Sequence, residues 1–247
     1  MSASLSLALP RPVVELSEVS KRFGRLRVLH RVCFDIRAGR VTAILGPNAA
    51  GKSTVIKLIL GLTRCDAGRV LVNGQPVQEG PSYRAAIGYM PQAARFPENL
   101  TGWEVVRMLR DLRDEGGGDT GLLDDLGLAS EMGKLVRTLS GGTRQKLNAA
   151  VAFLFQPSLL ILDEPTAGLD PVAAGVLKAR IRRARGDGVT VLLTSHVLAE
   201  VEDLADDVIM LLEGRVAYAG ALRHLREITG EERLEAAVAH MMKHAAP

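Results

Sequence analysis

The chain has 247 residues, of which 47% are hydrophobic and 24% charged, and this composition is that of a globular protein with one large domain or two small ones. The net charge of +3 argues against nucleic acid as a partner, and two cysteines argue against a disulfide framework. No run of 18 apolar residues could span a membrane, and residues 1–9 lack the positive segment of a signal peptide, so we expect a cytoplasmic protein.

The first part of the chain predicts strands around a glycine-rich loop. Residues 13–16 and 28–36 favour two early antiparallel strands, residues 40–45 a buried strand, and residues 53–60 an apolar helix. The nine residues at the junction of the buried strand and the helix are Gly46, Pro47, Asn48, Ala49, Ala50, Gly51, Lys52, Ser53 and Thr54. They match the pattern G-x-x-x-x-G-K-[ST], which is typical of a phosphate-binding P-loop.

The residue types of this loop explain the binding that they predict. Two glycines let the backbone bring its N–H groups close to an anion, Lys52 can reach the outer phosphates of a nucleotide, and the Ser53 hydroxyl can bind Mg²⁺. The helix that follows would point its N-terminus at the phosphates. A chance match in a glycine-punctuated loop is the alternative, which the strand before it and the helix after it disfavour.

The middle of the chain changes from strands to helices. Two further strands and two helices are predicted, at residues 69–74, 87–90, 101–113 and 122–128. Thr101 and Glu104 have the spacing of a capping box at the start of the first of these helices. We therefore expect a helical subdomain at about residues 93–155, with a flexible loop at 115–119.

The rest of the chain alternates strands and helices. The predicted strands are residues 158–162, 189–194, 207–212 and 216–218, and the predicted helices are residues 171–185, 197–205, 221–228 and 231–242. This alternation is typical of a parallel sheet. Together with the early strands, it predicts an α/β fold with a mostly parallel sheet, an antiparallel β region and a helical insert.

Two carboxylates follow the strand at 158–162. An apolar strand delivers its carboxyl end to the crevice where such sheets bind nucleotides, so Asp163 would hold Mg²⁺ and Glu164 would polarise a water for attack on the γ-phosphate. An acidic turn without a catalytic role is the alternative. Ser140, Gly141 and Gly142 precede a helix and predict a second anion site, although alone they are more often a simple helix cap.

The order of these segments resembles the ABC-type ATPases, because Leu-Ser-Gly-Gly at residues 139–142 lies between a P-loop and an apolar strand that ends in Asp-Glu. The resemblance implies a P-loop NTPase with a RecA-like core, occupying residues 1–242 as one domain, with a short helical tail at 221–247 and no large regulatory domain after it.

The resemblance also implies roles for four more residues. Phe23 would stack on adenine, Gln92 would touch Mg²⁺ and water, Asp170 would belong to a loop at the dimer interface, and His196 would contact the γ-phosphate. The alternatives for three of them are a core phenylalanine, a turn glutamine and a structural histidine. ATP and Mg²⁺ are the implied cofactors.

Partners follow from the same resemblance. Two copies would pair head to tail on binding ATP, with each ATP between the P-loop of one copy and residues 140–142 of the other. The pair would drive two polytopic permease subunits from the inner face of the cell membrane. Residues 56–62, 194–198 and 234–242 resemble the ATPases of ABC-2-type exporters and, more closely, those that process copper for nitrous-oxide reductase maturation. A drug or polymer exporter, or a soluble ATP-dependent switch, are the alternatives.

Ala49 departs from the family pattern, which usually has glycine there. If this position needs a positive φ, alanine costs about 1 kcal/mol or more, whereas a right-handed conformation would make it harmless. We expect ATP binding to survive, because Gly46, Gly51, Lys52 and Ser53 are all present.

Overall fold

The backbone forms two sheets with a helix between them. The computed structural model describes residues 12–113 and 117–244, so the predicted segment at 1–9, the first part of the predicted loop at 115–119 and the end of the predicted tail lie outside the described residues. The strands are β1 (Val14–Phe23), β2 (Leu26–Ile36), β3 (Val41–Leu45), β4 (Ala67–Val72), β5 (Gln75–Pro76), β6 (Ile87–Met90), β7 (Leu159–Asp163), β8 (Thr190–Thr194), β9 (Asp207–Leu212) and β10 (Arg215–Ala221). The helices are α1 (Lys52–Ile59), α2 (Gly102–Arg113), α3 (Gly121–Asp125), α4 (Gly141–Phe153), α5 (Pro171–Gly186), α6 (Leu198–Leu204), α7 (Leu222–Thr229) and α8 (Leu234–His244).

The larger sheet has six strands in the order β10-β9-β3-β8-β7-β6. All of its pairings are parallel except that of β10 with β9. Every residue of β3, β7 and β8 is buried, as expected for apolar strands that are covered on both faces. Because these three strands are neighbours and parallel, their carboxyl ends meet at one edge of the sheet.

The smaller sheet is antiparallel, with the order β2-β1-β4-β5. Helix α1 lies between the two sheets, where Val55 and Ile59 share one apolar cluster with Leu16 of the small sheet and Ile161 of the large one. Burying this helix on both sides removes several apolar side chains from water, at about 25 cal/mol per Å², and it fixes the loop that precedes the helix. The predicted α/β fold is confirmed.

Helices α2, α3 and α4 come between β6 and β7, and they pack against the other face of the large sheet in a second apolar cluster. The capping box of α2 is confirmed, because Thr101 Oγ1 accepts the Glu104 N–H at 3.2 Å and Glu104 Oε2 accepts the Thr101 N–H at 2.7 Å. The prediction that α3 continues to residue 128 is wrong. Gly127 has φ +66, a left-handed conformation that ends the helix.

The last two helices fold back onto α6. Glu202 of α6 accepts hydrogen bonds at 2.7 Å from Arg226 of α7 and from the Leu234 N–H, at the start of α8.

Within the described residues, no helix combines the length and the apolar character that crossing a bilayer would require.

Candidate functional site

A cavity of about 800 Å³ lies at the edge where the carboxyl ends of β3, β7 and β8 meet. Its lining includes all nine residues of the predicted P-loop. The other predicted site residues that line it are Phe23, Gln92, Asp163, Glu164 and His196. The sheet therefore gathers, in one concave site, segments that are up to 173 residues apart in the chain, from Phe23 to His196.

The two glycines of the P-loop have positive φ angles and lie close to neighbouring residues. Gly46 has φ +146, and a Cβ there would lie 2.2 Å from the carbonyl oxygen of Leu211. Gly51 has φ +106, and a Cβ there would lie 2.6 Å from Cδ2 of Leu29. Both positions have a conformation that L-residues avoid. At Gly46 a side chain would also collide with the backbone of Leu211, whereas at Gly51 the Leu29 side chain would have to move.

Ala49 has φ +64, so the position takes the left-handed conformation in which alanine is strained. The Ala50 N–H donates to Pro47 O at 3.2 Å, and this bond makes Ala49 the third residue of a β-turn. Type II turns need a positive φ at their third residue and favour glycine there. The side chain of Ala49 is exposed, so packing does not offset the cost.

Lys52 reaches back across the P-loop. Its Nζ donates to Gly46 O at 2.6 Å and to Pro47 O at 3.0 Å. Partial burial lowers the pKa of the ammonium, and the nearby carboxylates of Glu164 and Asp163 oppose that shift. The ammonium therefore lies at the open side of the P-loop. It carries three N–H donors and could bind the oxygens of a phosphate chain there.

The carboxyl ends of β7 and β8 form a connected polar group. Thr194 Oγ1 donates to Asp163 Oδ1 at 2.5 Å and accepts the Glu164 N–H at 3.1 Å. Glu164 Oε2 lies 2.7 Å from His196 Nδ1 and 3.2 Å from the His196 backbone nitrogen. Glu164 has φ +52, an uncommon conformation for a side chain of this size and one that is concentrated at functional sites.

The structure decides between the alternatives for Phe23 and His196, but not for Gln92. Phe23 is 51% exposed, with Lys21 Nζ at 5.2 Å from its ring centroid, so it is not a core residue. The side chain of His196 is 73% exposed, so it is not a buried structural histidine. Gln92 is exposed two residues after β6 and lines the cavity, a position that fits both of its interpretations.

Four predicted site residues do not line this cavity: Ser140, Gly141, Gly142 and Asp170. Ser140 is exposed and caps α4, where its Oγ accepts the Thr143 N–H at 3.1 Å. Asp170 caps α5 by accepting the Ala173 N–H at 2.9 Å, and it pairs with Lys146 of α4 at 3.2 Å. Their N–H groups and charges therefore belong to a separate surface of the same chain.

The sequence did not point to several residues that complete the cavity. Ser195 and Leu198 line it from the segment after β8, and Val238 and Met242 line it from α8. The α8 residues follow an ordinary amphipathic pattern, and only the folding of the tail onto α6 brings them to the cavity. No local signal could have found them.

Three groups with oxygen atoms that could serve as Mg²⁺ ligands line the cavity: the hydroxyl of Ser53, the side-chain carbonyl of Gln92 and the carboxylate of Asp163. Mg²⁺ is bound through one or two carboxylates together with substrate phosphates, and its ligands are oxygens. The donor set therefore fits the ion that the sequence predicts.

A model of the family described as "ABC transporter" matches residues 29–167. The chain belongs to the ABC transporter ATP-binding family. The match contains the P-loop, Gln92, residues 140–142 and both carboxylates after β7. Members of this family hydrolyse ATP to power transport, and the expected ATPase activity is thus confirmed at the level of the family.

Two relatives in this family match nearly the whole chain. The daunorubicin resistance ATP-binding protein DrrA3 of Streptomyces coeruleorubidus is 35% identical over 228 residues, which are 90% of this chain and 72% of that protein. The Nod factor export ATP-binding protein I of Sinorhizobium fredii is 37% identical over 226 residues, 88% of this chain and 65% of that protein.

A solved ABC structure matches the fold just as broadly. The structure of an ATP-binding subunit of an ABC transporter superposes with a TM-score of 0.87 at 31% identity, covering 93% of this chain and 99% of that one. The match to this structure therefore extends well beyond residues 29–167.

Proposed function

We propose that this chain is the ATP-hydrolysing subunit of an ABC-2-type exporter. The observation that carries the proposal is the convergence of the P-loop, Gln92, Asp163, Glu164 and His196 in one cavity. The names of the two relatives, one for daunorubicin resistance and one for Nod factor export, support an export system. The chain would lie in the cytoplasm, at the inner face of the membrane, bound to two polytopic permease subunits.

The roles of the site residues follow from their positions. Backbone N–H groups of the P-loop and the Lys52 ammonium bind the phosphates, and the exposed ring of Phe23 stacks on the base. Ser53, Asp163 and Gln92 would hold Mg²⁺, which neutralises charge on the phosphates when it is bound. Glu164 polarises the attacking water, and His196, 2.7 Å away, orients the Glu164 carboxylate and contacts the γ-phosphate.

The second half of the site would come from another copy. Residues 140–142 lie outside the cavity and expose N–H groups at the N-terminus of α4, a 13-residue helix, so they could bind the phosphates of a nucleotide held by a partner. In this head-to-tail pair, ATP binding closes the dimer and hydrolysis opens it.

The variant Glu164→Gln tests the hydrolytic site and the dimer together. The amide keeps the shape of the side chain but loses the base, so the variant should bind Mg-ATP without hydrolysing it and accumulate as a dimer in light scattering. Glu79→Gln, which changes an exposed residue away from the cavity, is the matched control. It should hydrolyse ATP and, because hydrolysis opens the dimer, should not accumulate as a dimer. A Glu164→Gln protein that remains monomeric in saturating Mg-ATP would contradict the dimer, and wild-type protein that fails to bind millimolar Mg-ATP would contradict the nucleotide site.

The assignment to copper processing stays a prediction. The residues on which it depends lie in α1, between β8 and α6, and in α8, and none of them is expected to contact cargo, because the permease subunits select it. Loss of copper from nitrous-oxide reductase in a strain without this chain would support it, whereas normal copper loading would favour another export system. Failure to co-purify with the permease encoded beside it would instead favour a soluble switch.

A further inference from the structure

We propose that Thr194 is a positioning residue that sets the geometry of Asp163 and Glu164, the two carboxylates at the carboxyl end of β7, so that Mg²⁺ and the attacking water meet correctly oriented oxygens. The inference rests on the proposed roles of Asp163 and Glu164. Its own basis is a single buried hydroxyl, with 1% exposure of the residue, that is hydrogen-bonded to the side chain of one carboxylate residue and to the backbone of the next.

The Thr194 hydroxyl makes both hydrogen bonds, as the donor in one and the acceptor in the other. A threonine hydroxyl has one hydrogen to donate, and it goes to Oδ1 of Asp163 at 2.5 Å, the length of a charge-assisted O–H···O⁻ bond. The oxygen then accepts the Glu164 N–H at 3.1 Å. Because one hydroxyl makes both hydrogen bonds, rotating it away would weaken both contacts at once.

The sheet register explains why Thr194 is the residue that does this. Asp163 and Thr194 are paired residues at the ends of the parallel strands β7 and β8. The Glu164 N–H also donates to the carbonyl oxygen of Thr194 at 3.1 Å, as the last bond between the strands. The side chain and backbone of Thr194 thus hold Glu164 in its left-handed conformation, φ +52, just where the chain leaves the sheet.

The position of Glu164 in turn sets the contact with His196. With its backbone held by Thr194, Glu164 directs Oε2 to within 2.7 Å of His196 Nδ1. On the other side, the bond from Thr194 fixes the rotation of the Asp163 carboxylate, one of the proposed oxygen ligands of Mg²⁺. Removing a partner that orients a metal ligand typically lowers metal affinity or activity by about 10- to 100-fold.

Substitution of Thr194 by valine removes the hydroxyl and keeps the shape of the side chain. We expect Thr194→Val to lower kcat for ATP by about tenfold or more and to raise the Mg²⁺ concentration for half-maximal activity by a similar factor. The second readout does not need turnover: binding of a fluorescent ADP analogue should become weaker in Mg²⁺ but stay unchanged in EDTA. Thr194→Ser, which restores the hydroxyl, should recover most of each property.

Thr42 provides a matched control in the neighbouring strand. It is also 1% exposed, it lies in β3 beside β8, and its Oγ1 finds no hydrogen-bond partner among the described residues. Thr42→Val makes the same chemical change in the same sheet without removing a hydrogen bond, so it should match the wild type in kcat and in Mg²⁺ dependence. A general effect of valine on the sheet would appear in both variants.

The outcomes separate this inference from the proposed function. If Thr194→Val binds the analogue in Mg²⁺ as the wild type does, Thr194 does not position the carboxylates and the inference is wrong. If the wild type shows Mg²⁺-dependent binding but no hydrolysis, the proposed function fails, while the binding comparison still decides the role of Thr194. Should Thr194→Val not fold, Thr194→Ala, which also lacks the hydroxyl, is judged by the same two measurements.

Discussion

Replacing Ala49 by glycine should stabilise the protein, although glycine usually destabilises. At φ +64, an L-residue is disfavoured by about 1–2 kcal/mol relative to its right-handed conformation, and glycine is free of this cost. Against this gain, glycine loses more backbone freedom on folding, at about 0.4–1 kcal/mol. Because the Ala49 side chain is exposed, little packing is lost, and we expect the free energy of unfolding to rise by about 0.5–1 kcal/mol.

The adjacent residue supplies the control. Ala50 is 3% exposed and is not among the described residues with a positive φ, so Ala50→Gly removes a buried methyl group and relieves no strain. The lost burial, about 0.8 kcal/mol, and the added freedom of the unfolded chain should together lower the free energy of unfolding by about 1.5 kcal/mol. Two identical substitutions at neighbouring positions should therefore shift stability in opposite directions.

Urea unfolding of the nucleotide-free proteins measures both effects. With equal slopes, the midpoint of Ala49→Gly should lie above that of the wild type and the midpoint of Ala50→Gly below it. If Ala49→Gly loses 1 kcal/mol or more, as Ala50→Gly should, then Ala49 is not strained in the folded protein, and the reasoning from its φ angle is refuted.

Two further predictions concern charged groups. Lys52→Ala should weaken ATP binding by about tenfold or more in equilibrium titrations, because it would remove the proposed charge-assisted contact to the phosphates. Lys57→Ala, exposed on the same helix, should leave ATP binding unchanged. Glu202 has a pKa below its ordinary value of 4.5, because its carboxylate accepts the Leu234 N–H and, in addition, a hydrogen bond from Arg226. Because the pKa of Glu202 is lower in the folded state, its carboxylate stabilises the fold at pH values above the unfolded-state pKa. This stabilisation is lost as the pH falls towards and through the folded-state pKa, so the thermal midpoint should drop less between pH 7 and pH 4 in Glu202→Gln than in the wild type.

The features that could be predicted from the sequence depend on local chemistry. Apolar periodicity located the five parallel strands of the large sheet to within one residue, although it ended β10 three residues early. The Thr101–Glu104 box marked the start of α2 because both hydrogen bonds join residues three apart. The P-loop could be recognised for the same reason. Its glycines, lysine and serine act through one continuous turn between a strand and a helix.

The features that could not be predicted depend on contacts between distant segments. The sequence marks Asp163 and Glu164, but nothing in it says that Thr194 will pair with Asp163, because the register between β7 and β8 is set by the packing of the whole sheet. The contribution of Met242 to the cavity similarly requires α8 to fold onto α6. The conformation of Ala49 could not be predicted for a different reason. Its sequence is compatible with a right-handed or a left-handed backbone conformation, and the type of turn decides which one it adopts.

The short segment after β7 connects the two surfaces that the proposed dimer would bring together. Glu164, in the cavity, is six residues from Asp170, and Asp170 pairs with Lys146 on α4, the helix that begins after Ser140. Gly142 of that helix also lies close to the same segment, since a Cβ on it would be 3.3 Å from Gly168 O. In the proposed dimer, a shift of Glu164 on hydrolysis would reach, through these six residues and one ion pair, the residues proposed to contact the nucleotide of the other copy. The two ATP sites of a closed dimer would then be coupled through this segment as well as through the interface between the copies.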